Sequence, residues 1–255
     1  MTLRAPDPGF FVGYFKKVPP AIQAFVLAFG VLFVSGLTWA SVMLALAAQS
    51  PGSGDYVDEL RGGSLTGVLE TRPYPILRVP ATGQMPARAI MLSGAGKFGV
   101  DDIADPLGGT PVDAAGIFLK RGDLDMLLID GPAALHAAVQ ATHDTTRPAA
   151  AEPLGRWRLT GEICDGKCYS GAMRPGGELA HKACANLCIT GRVPPVFVST
   201  APVAGHIFFL LANADGGPIP AALKDRTAVR IELDGEVERR DNLMVFKVDP
   251  ASVRE

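Results

Sequence analysis

The stretches GIFLKRGDLDMLLID (residues 116–130) and GEVERRDNLMVFKVD (residues 235–249) can be aligned with one another without a gap. Each begins with glycine, carries a polar turn in its middle and ends in an apolar run followed by aspartate. Two short runs of β-forming residues around such a turn are typical of a β-hairpin. We therefore expect the same hairpin twice in this chain.

The sequence before each hairpin supports a repeated plan. The tripeptide LTG occurs at residues 65–67 and again at 159–161, and short β-like runs follow each copy. Five short strands with a glycine bend suit a small barrel of the OB type. We expect a mainly β fold with two small OB-like β-barrel units, over residues 63–144 and 155–255. A linker at 145–154 joins them, and the Ala-rich end of the first unit favours a short helix.

An uninterrupted apolar stretch lies near the N-terminus: AIQAFVLAFGVLFVSGLTWASVMLALAA, residues 21–48, without a charged side chain. About 20 apolar residues suffice for a helix to cross a bilayer. The stretch is apolar on every face, unlike a core helix of a soluble protein. It is also longer than the apolar part of a signal peptide, although the ALA at 45–47 fits a cleavage site. We predict an N-terminal transmembrane helix.

Charges on either side of this helix predict its direction. Three basic residues precede it and three acidic residues follow it, against one residue of opposite sign on each side: Arg4, Lys16, Lys17, Asp55, Asp58 and Glu59. Basic flanks stay in the cytoplasm. We expect a cytoplasmic leader at 1–20, a linker at 49–62 and residues 50–255 outside the inner membrane of a bacterium. The aromatic leader is either an interfacial anchor or a docking segment for another membrane subunit.

Several function classes find no support in the sequence. The chain has 24 Lys and Arg against 26 Asp and Glu, so no basic excess indicates nucleic acid. Phosphate-binding, dinucleotide-binding, serine-hydrolase and zinc-protease motifs are absent from it. The loop GAGKFG at 94–99 lacks the spacing of a phosphate-binding loop and indicates a tight turn. No residue set indicates an enzyme, and we name no catalytic residue.

All four cysteines lie in one insertion of the second unit, at 162–195. They form two C-x3-C pairs, Cys164 with Cys168 and Cys184 with Cys188. HKACANLCI (181–189) has good helix formers, and Gly191 follows as a C-cap. On such a helix His181, Cys184 and Cys188 share one face.

Three interpretations of this insertion remain open. Outside the cytoplasm thiols oxidise, which favours two disulfides, with each helix cysteine paired back to Cys164 or Cys168. The four cysteines with His181, and Met173 in addition, also suit a copper or zinc site. A thiol-redox centre is the third interpretation, but the usual C-x-x-C motif is absent.

The segment G-E-I-C-D-x-x-C…H-x-x-C-A-x-x-C-I-x-x-G-x-P-P, read over residues 161–195, resembles one in uncharacterised bacterial exported or membrane-attached proteins. There it precedes β-strands that end in a V-x-V-x-G-type hairpin, and the similarity here covers about residues 157–249. The resemblance implies a bacterial envelope setting and no catalytic activity.

Two functional hypotheses follow. The first is a membrane-anchored extracytoplasmic accessory, assembly or binding protein, with a disulfide-stapled Cys segment and a membrane or envelope protein as partner. The second is a copper- or zinc-binding chaperone or redox protein that uses Cys164, Cys168, His181, Cys184 and Cys188. Oxidation state separates them, because disulfides favour the first and coordinated thiolates the second.

Overall fold

A computed structural model describes residues 18–47, 52–58, 60, 62–83, 85–139 and 148–254. The described chain is mainly β, with one long N-terminal helix, an eight-stranded sheet and a closed five-stranded barrel. The helix falls in one compact unit and all the strands in another, Pro51–Glu255. The expected mainly β architecture with a single apolar N-terminal helix is confirmed.

Helix α1 spans Pro20–Ala47. It is long and apolar enough to cross a membrane, and its apolar side chains are exposed, including Phe25, Leu32 and Trp39. The predicted helix at 21–48 is therefore formed up to Ala47, and Ala48 lies outside the described residues. Most of the predicted leader, residues 1–17, also lies outside them.

The larger sheet is built from the first half of the β unit. Its strands are β1 (Asp55–Val57), β2 (Ser64–Glu70), β3 (Ile76–Val79), β4 (Arg88–Gly94), β5 (Pro111–Ala115), β6 (Ile117–Arg121), β7 (Leu124–Ile129) and β8 (Leu135–Ala137). They lie in the order β1-β6-β7-β4-β3-β2-β5-β8. All neighbours are antiparallel except β4 and β7, which are parallel. Helix α2 (Asp101–Ala104) lies between β4 and β5.

The barrel is built from the second half. Its strands are β9 (Glu152–Asp165), β10 (Pro195–Val203), β11 (His206–Asn213), β12 (Arg230–Arg240) and β13 (Leu243–Val248). The order is β10-β11-β13-β12-β9, closed by pairing of β9 with β10. Helix α3 (Lys182–Thr190) lies between β9 and β10, and helix α4 (Ala221–Lys224) between β11 and β12.

The two halves repeat one plan of pairings. Strands β2, β3 and β4 of the first half form an antiparallel run, as do β9, β10 and β11 of the second. The third strand of each run pairs in parallel with a later strand, β4 with β7 and β11 with β13. Strands β5 and β6 are separated only by Gly116 and together make the two pairings that β12 makes alone. The first half differs from expectation, because it belongs to an eight-stranded sheet rather than a separate small barrel.

Glycine permits the close strand contacts at equivalent places. A Cβ on Gly67 would collide with the carbonyl oxygen of Arg78, and one on Gly161 with that of Val198. The hairpin glycines have the same constraint, because a Cβ on Gly116 or Gly235 would collide with a carbonyl oxygen of the second strand of its hairpin. The LTG tripeptides and the glycine-started hairpins are therefore equivalent in structure as well as in sequence.

Three expectations about connecting segments need correction. The predicted linker at 49–62 contains β1, which pairs with β6. Residues 152–154 of the second predicted linker already belong to β9. The Ala-rich stretch forms a short 3-10 turn, Pro132–Ala134, and then β8, because pairing with β5 outweighs the helix preference of alanine.

A shared apolar core joins the two halves. One buried cluster contains Met91, Leu119 and Met126 of the larger sheet together with Phe208 and Leu210 of the barrel. Buried polar contacts cross the same junction, since Arg78 of β3 binds Asp241 in the β12–β13 turn. The sheet and the barrel therefore form one body.

Candidate metal centre

The Cys insertion is an ordered cap between the first two barrel strands. Strand β9 continues to Asp165, and a helical turn over Cys168–Ala172 follows it. Helix α3 then runs from Lys182 to Thr190, with Gly191 as its C-cap residue. The predicted helix and its glycine end are confirmed. Cys164 lies in the strand itself, so the insertion begins later than expected.

Three cysteines converge. The sulfurs of Cys168, Cys184 and Cys188 lie within 4.8 Å of one another, and those of Cys168 and Cys184 are 4.0 Å apart. Two sulfurs bound to one ion at about 2.3 Å lie about 3.8–4.0 Å from each other, for tetrahedral to trigonal angles. The Cys168–Cys184 separation therefore matches that of two thiolates on one ion, and Cys188 lies close to both.

The expected disulfides are not formed. All four cysteines are free, and 4.0 Å is about twice the length of a sulfur–sulfur bond. Cys184 and Cys188 do face back towards Cys168, but at the separation of metal ligands rather than of a cystine. The expectation of two disulfides is therefore wrong for this structure.

Cys164 does not join the other three sulfurs. Its thiol lies 3.3 Å from Oε1 of Glu162, to which it donates. Burial, and then the charge of Glu162, raise the pKa of Cys164 well above its usual range. A thiol held protonated beside a carboxylate is a poor metal ligand. Of the cysteines named from sequence, Cys164 is the one that the structure separates from the site.

His181 lies beside the sulfur cluster with an acidic partner. Its Nε2 is 3.0 Å from Oδ2 of Asp165, and both side chains are buried. Asp165 also accepts a hydrogen bond from the backbone N–H of Cys168 at 2.8 Å. Asp165, Cys168 and His181 form a second group of close ligand atoms, which shares Cys168 with the first. The sequence pattern placed His181 with Cys184 and Cys188 and missed Asp165.

Met173 borders the cluster on its solvent side. Its sulfur lies 3.7 Å from Sγ of Cys184, and its side chain is 46% exposed. Cys184 is half-buried, whereas Cys168 and Cys188 are fully buried. The thioether and the most accessible thiol of the cluster therefore lie together.

Two lysines that sequence reasoning missed complete the surroundings. Lys97 Nζ donates to Sγ of Cys184 at 2.8 Å. Lys167 is buried, and its ammonium donates to the carbonyl oxygens of Gly94, at 3.0 Å, and Gly96. Lys97, Gly94 and Gly96 belong to the GAGKFG loop of the larger sheet. Of the two lysines, only Lys167 could have been noticed from the sequence, because it is next to Cys168 in the chain.

The GAGKFG loop is fixed against the end of α3. The N–H of Gly99 donates to the carbonyl oxygen of Gly191 at 2.7 Å. A Cβ on Gly191 would collide with the carbonyl oxygen of Lys97, so glycine is required at this contact. The larger sheet thus supplies one wall of a site whose ligands come from the barrel half.

The cluster stabilises a thiolate. A hydrogen bond from the Cys168 thiol is the largest cause that lowers the pKa of Cys188 to about 7. Burial opposes this effect, and the nearby ammonium groups of Lys97 and Lys167 add to it. The same bond raises the pKa of Cys168. The pair therefore releases its first proton more readily than an isolated thiol does, which favours metal binding because metals bind the thiolate.

Comparisons with protein-family models, curated proteins and solved structures find no match to this chain. The functional argument therefore depends on the chemistry of the site. A sulfur-rich ligand set with an adjacent imidazole suits zinc or copper rather than calcium or magnesium, which prefer oxygen ligands.

Proposed function

We propose that this protein is a membrane-anchored, extracytoplasmic metal-binding protein of the bacterial envelope. It holds a copper or zinc ion at Cys168, Cys184 and Cys188 and acts as a metal chaperone or accessory factor for a membrane or envelope partner. The convergence of the three sulfurs carries this proposal, because all lie within 4.8 Å of one another and one pair, at 4.0 Å, is at the spacing of thiolates around one ion.

The setting strengthens the argument for a metal. Thiols persist poorly in an oxidising compartment, and a thiol with a pKa near 7 is among the more reactive. Coordination protects such thiolates from oxidation. An ion bound by the three sulfurs would therefore explain how they stay reduced outside the cytoplasm.

Two observations support the membrane anchor and its direction. Helix α1 is 28 residues long and apolar, which exceeds the length that a bilayer requires. Basic residues precede it and acidic residues follow it, the arrangement of a helix whose N-terminus is cytoplasmic. The lipid bilayer is accordingly one partner of the chain.

The barrel supports a role as a binding platform. Its strand order, with the third and fifth strands parallel, supports an OB-like assignment. The larger sheet repeats the same pairings, so two similar surfaces are available to a partner. The resemblance of the Cys segment to bacterial membrane-attached proteins fits this envelope setting.

Single serine variants of the full chain test the metal proposal. The protein would be purified in detergent under reducing, anaerobic conditions and loaded with copper(I) or zinc(II), and bound metal would be counted by elemental analysis. We expect one ion per wild-type chain and its loss in Cys168→Ser, Cys184→Ser and Cys188→Ser, because each removes a ligand.

Cys164→Ser is the matched control and should keep the ion. It removes a buried cysteine of the same segment that lies outside the sulfur cluster. An equal loss in Cys164→Ser, or no stoichiometric metal in the wild type, would overturn the proposal.

A further inference from the structure

The solvent side of the sulfur cluster points to the identity of the ion. Met173 contributes a thioether 3.7 Å from Sγ of Cys184, the most accessible thiol of the cluster. Thioethers are soft donors that select monovalent copper, whereas zinc takes Cys, His and carboxylate ligands.

The imidazole that zinc would use groups with only one of the three cysteines. A structural zinc site needs four ligands in a tetrahedron. His181 is the candidate fourth ligand, but its Nε2 is engaged by Asp165, and the two group with Cys168 and not with Cys184 and Cys188. The ligands that lie closest together are therefore three cysteine sulfurs and a nearby thioether.

Access to the cluster is also on the Met173 side. A cavity of about 360 Å³ opens to the surface here, and Cys168 and Met173 both line it. An ion that enters through this cavity can therefore reach both the exposed thioether and the Cys168 sulfur. A neutral thioether can bind a soft ion without first losing a proton, as a thiol must.

We propose that the cargo is copper(I), bound by Cys168, Cys184 and Cys188, with Met173 as the solvent-side ligand through which the ion enters and leaves. This inference rests on the proposed metal-binding function and specifies its metal. Lys97, which already donates to Cys184, would stabilise that thiolate in the loaded site.

The test compares two methionine variants of the full chain in detergent. Met173→Leu removes the thioether and keeps the size and apolar character of the side chain. Met85→Leu is the control, because Met85 is similarly exposed, at 50%, and lies in the turn between β3 and β4. Affinities for copper(I) and zinc(II) would be measured by competition with chromophoric chelators, without oxygen.

We expect Met173→Leu to weaken copper(I) binding by about tenfold or more and to leave zinc binding unchanged, while Met85→Leu changes neither. X-ray absorption of the copper-loaded wild type should show only sulfur neighbours.

Unchanged copper(I) affinity in Met173→Leu, or a nitrogen neighbour of copper, would overturn this inference and leave the metal site standing. Failure to bind either metal would overturn the proposed function, and this inference with it.

Discussion

At the scale of single residues, Cys188 and Cys164 show how the surroundings separate two buried cysteines of one segment. Cys188 receives a hydrogen bond from the Cys168 thiol and lies near Lys97 and Lys167, so its pKa falls to about 7. Burial, and then the charge of Glu162, raise the pKa of Cys164. The surroundings therefore favour the thiolate form of Cys188 and the thiol form of Cys164.

This contrast predicts the pH titration of the metal-free chain. Thiolate absorbance in the ultraviolet should rise as the Cys168–Cys188 pair loses its first proton, with a midpoint near 7. Cys188→Ser should abolish this step, and Cys164→Ser should preserve it. A first thiol titration only in the ordinary range, at about 8.5, would contradict the description of the cluster.

Residue types revealed part of the site before the structure did. Cys168, Cys184, Cys188 and His181 stood out because cysteine and histidine are ligands at recognisable spacing. Asp165 and Lys97 did not, because carboxylates and lysines are common and their roles depend on distant chain segments. Lys97 and Cys184 are 87 positions apart in the sequence, so no local sequence pattern can predict their contact.

At the scale of elements, the glycine positions explain why the two halves share a plan. Gly161 of β9 faces the backbone of β10 so closely that a Cβ would meet both the Val198 carbonyl and the ring of Phe197. Backbone atoms cannot move aside as a flexible side chain can. The LTG tripeptide therefore marks a close approach of two strands.

Gly161→Ala should destabilise the β unit by about 1–3 kcal/mol, the usual cost of overpacking a well-packed interior. Urea unfolding followed by circular dichroism would measure it. Thr200→Ala, an exposed change on the same strand pair that removes only a hydrogen bond to the carbonyl oxygen of Thr160, should cost about 1 kcal/mol or less. Equal, small effects in both variants would mean that the strands do not approach closely at Gly161.

The hairpins and α3 were predictable from local signals, namely a polar turn between β-forming runs and a glycine after good helix formers. Strands β1 and β8 were not. Each has only three residues and pairs with a strand from another part of the sequence, β6 and β5 respectively. Such short strands form only because a partner strand pairs with them, so their own residues do not indicate a strand.

At the scale of the whole molecule, the sheet and the barrel are held together by buried charge as well as by apolar contact. The Arg78 guanidinium, only 3% exposed, binds Glu70 at 2.7 Å and Asp241 at 2.8 Å and donates to the carbonyl oxygen of Ala149. It connects β3 of the sheet with the β12–β13 turn of the barrel. The two halves should therefore unfold together.

Arg78→Met keeps the apolar stem of the side chain but leaves the carboxylates without their partner. We expect a loss of about 3–5 kcal/mol in the free energy of unfolding, in a single transition. Arg158→Met, which breaks an exposed ion pair with Asp234, should change stability little. Two separate transitions, with only one of them shifted, would show that sheet and barrel are independent.

The sequence predicts that the two halves share one strand arrangement, but it does not predict that they pack into one body. Shared burial of Met126 and Phe208, or of Leu119 and Leu210, depends on contacts between distant strands. The wall that the GAGKFG loop contributes to the sulfur cluster has the same origin. Apolar strands of this kind can be recognised from sequence, but their partners cannot.

The most direct test of the central claim is the native mass of the full chain, purified from membranes without added metal, before and after chelation. We predict a mass excess of one metal ion that disappears on chelation, after which the Cys168, Cys184 and Cys188 thiols become open to alkylation. A metal-free mass lowered by the hydrogens lost in disulfide formation, with thiols protected until reduction, would contradict the account.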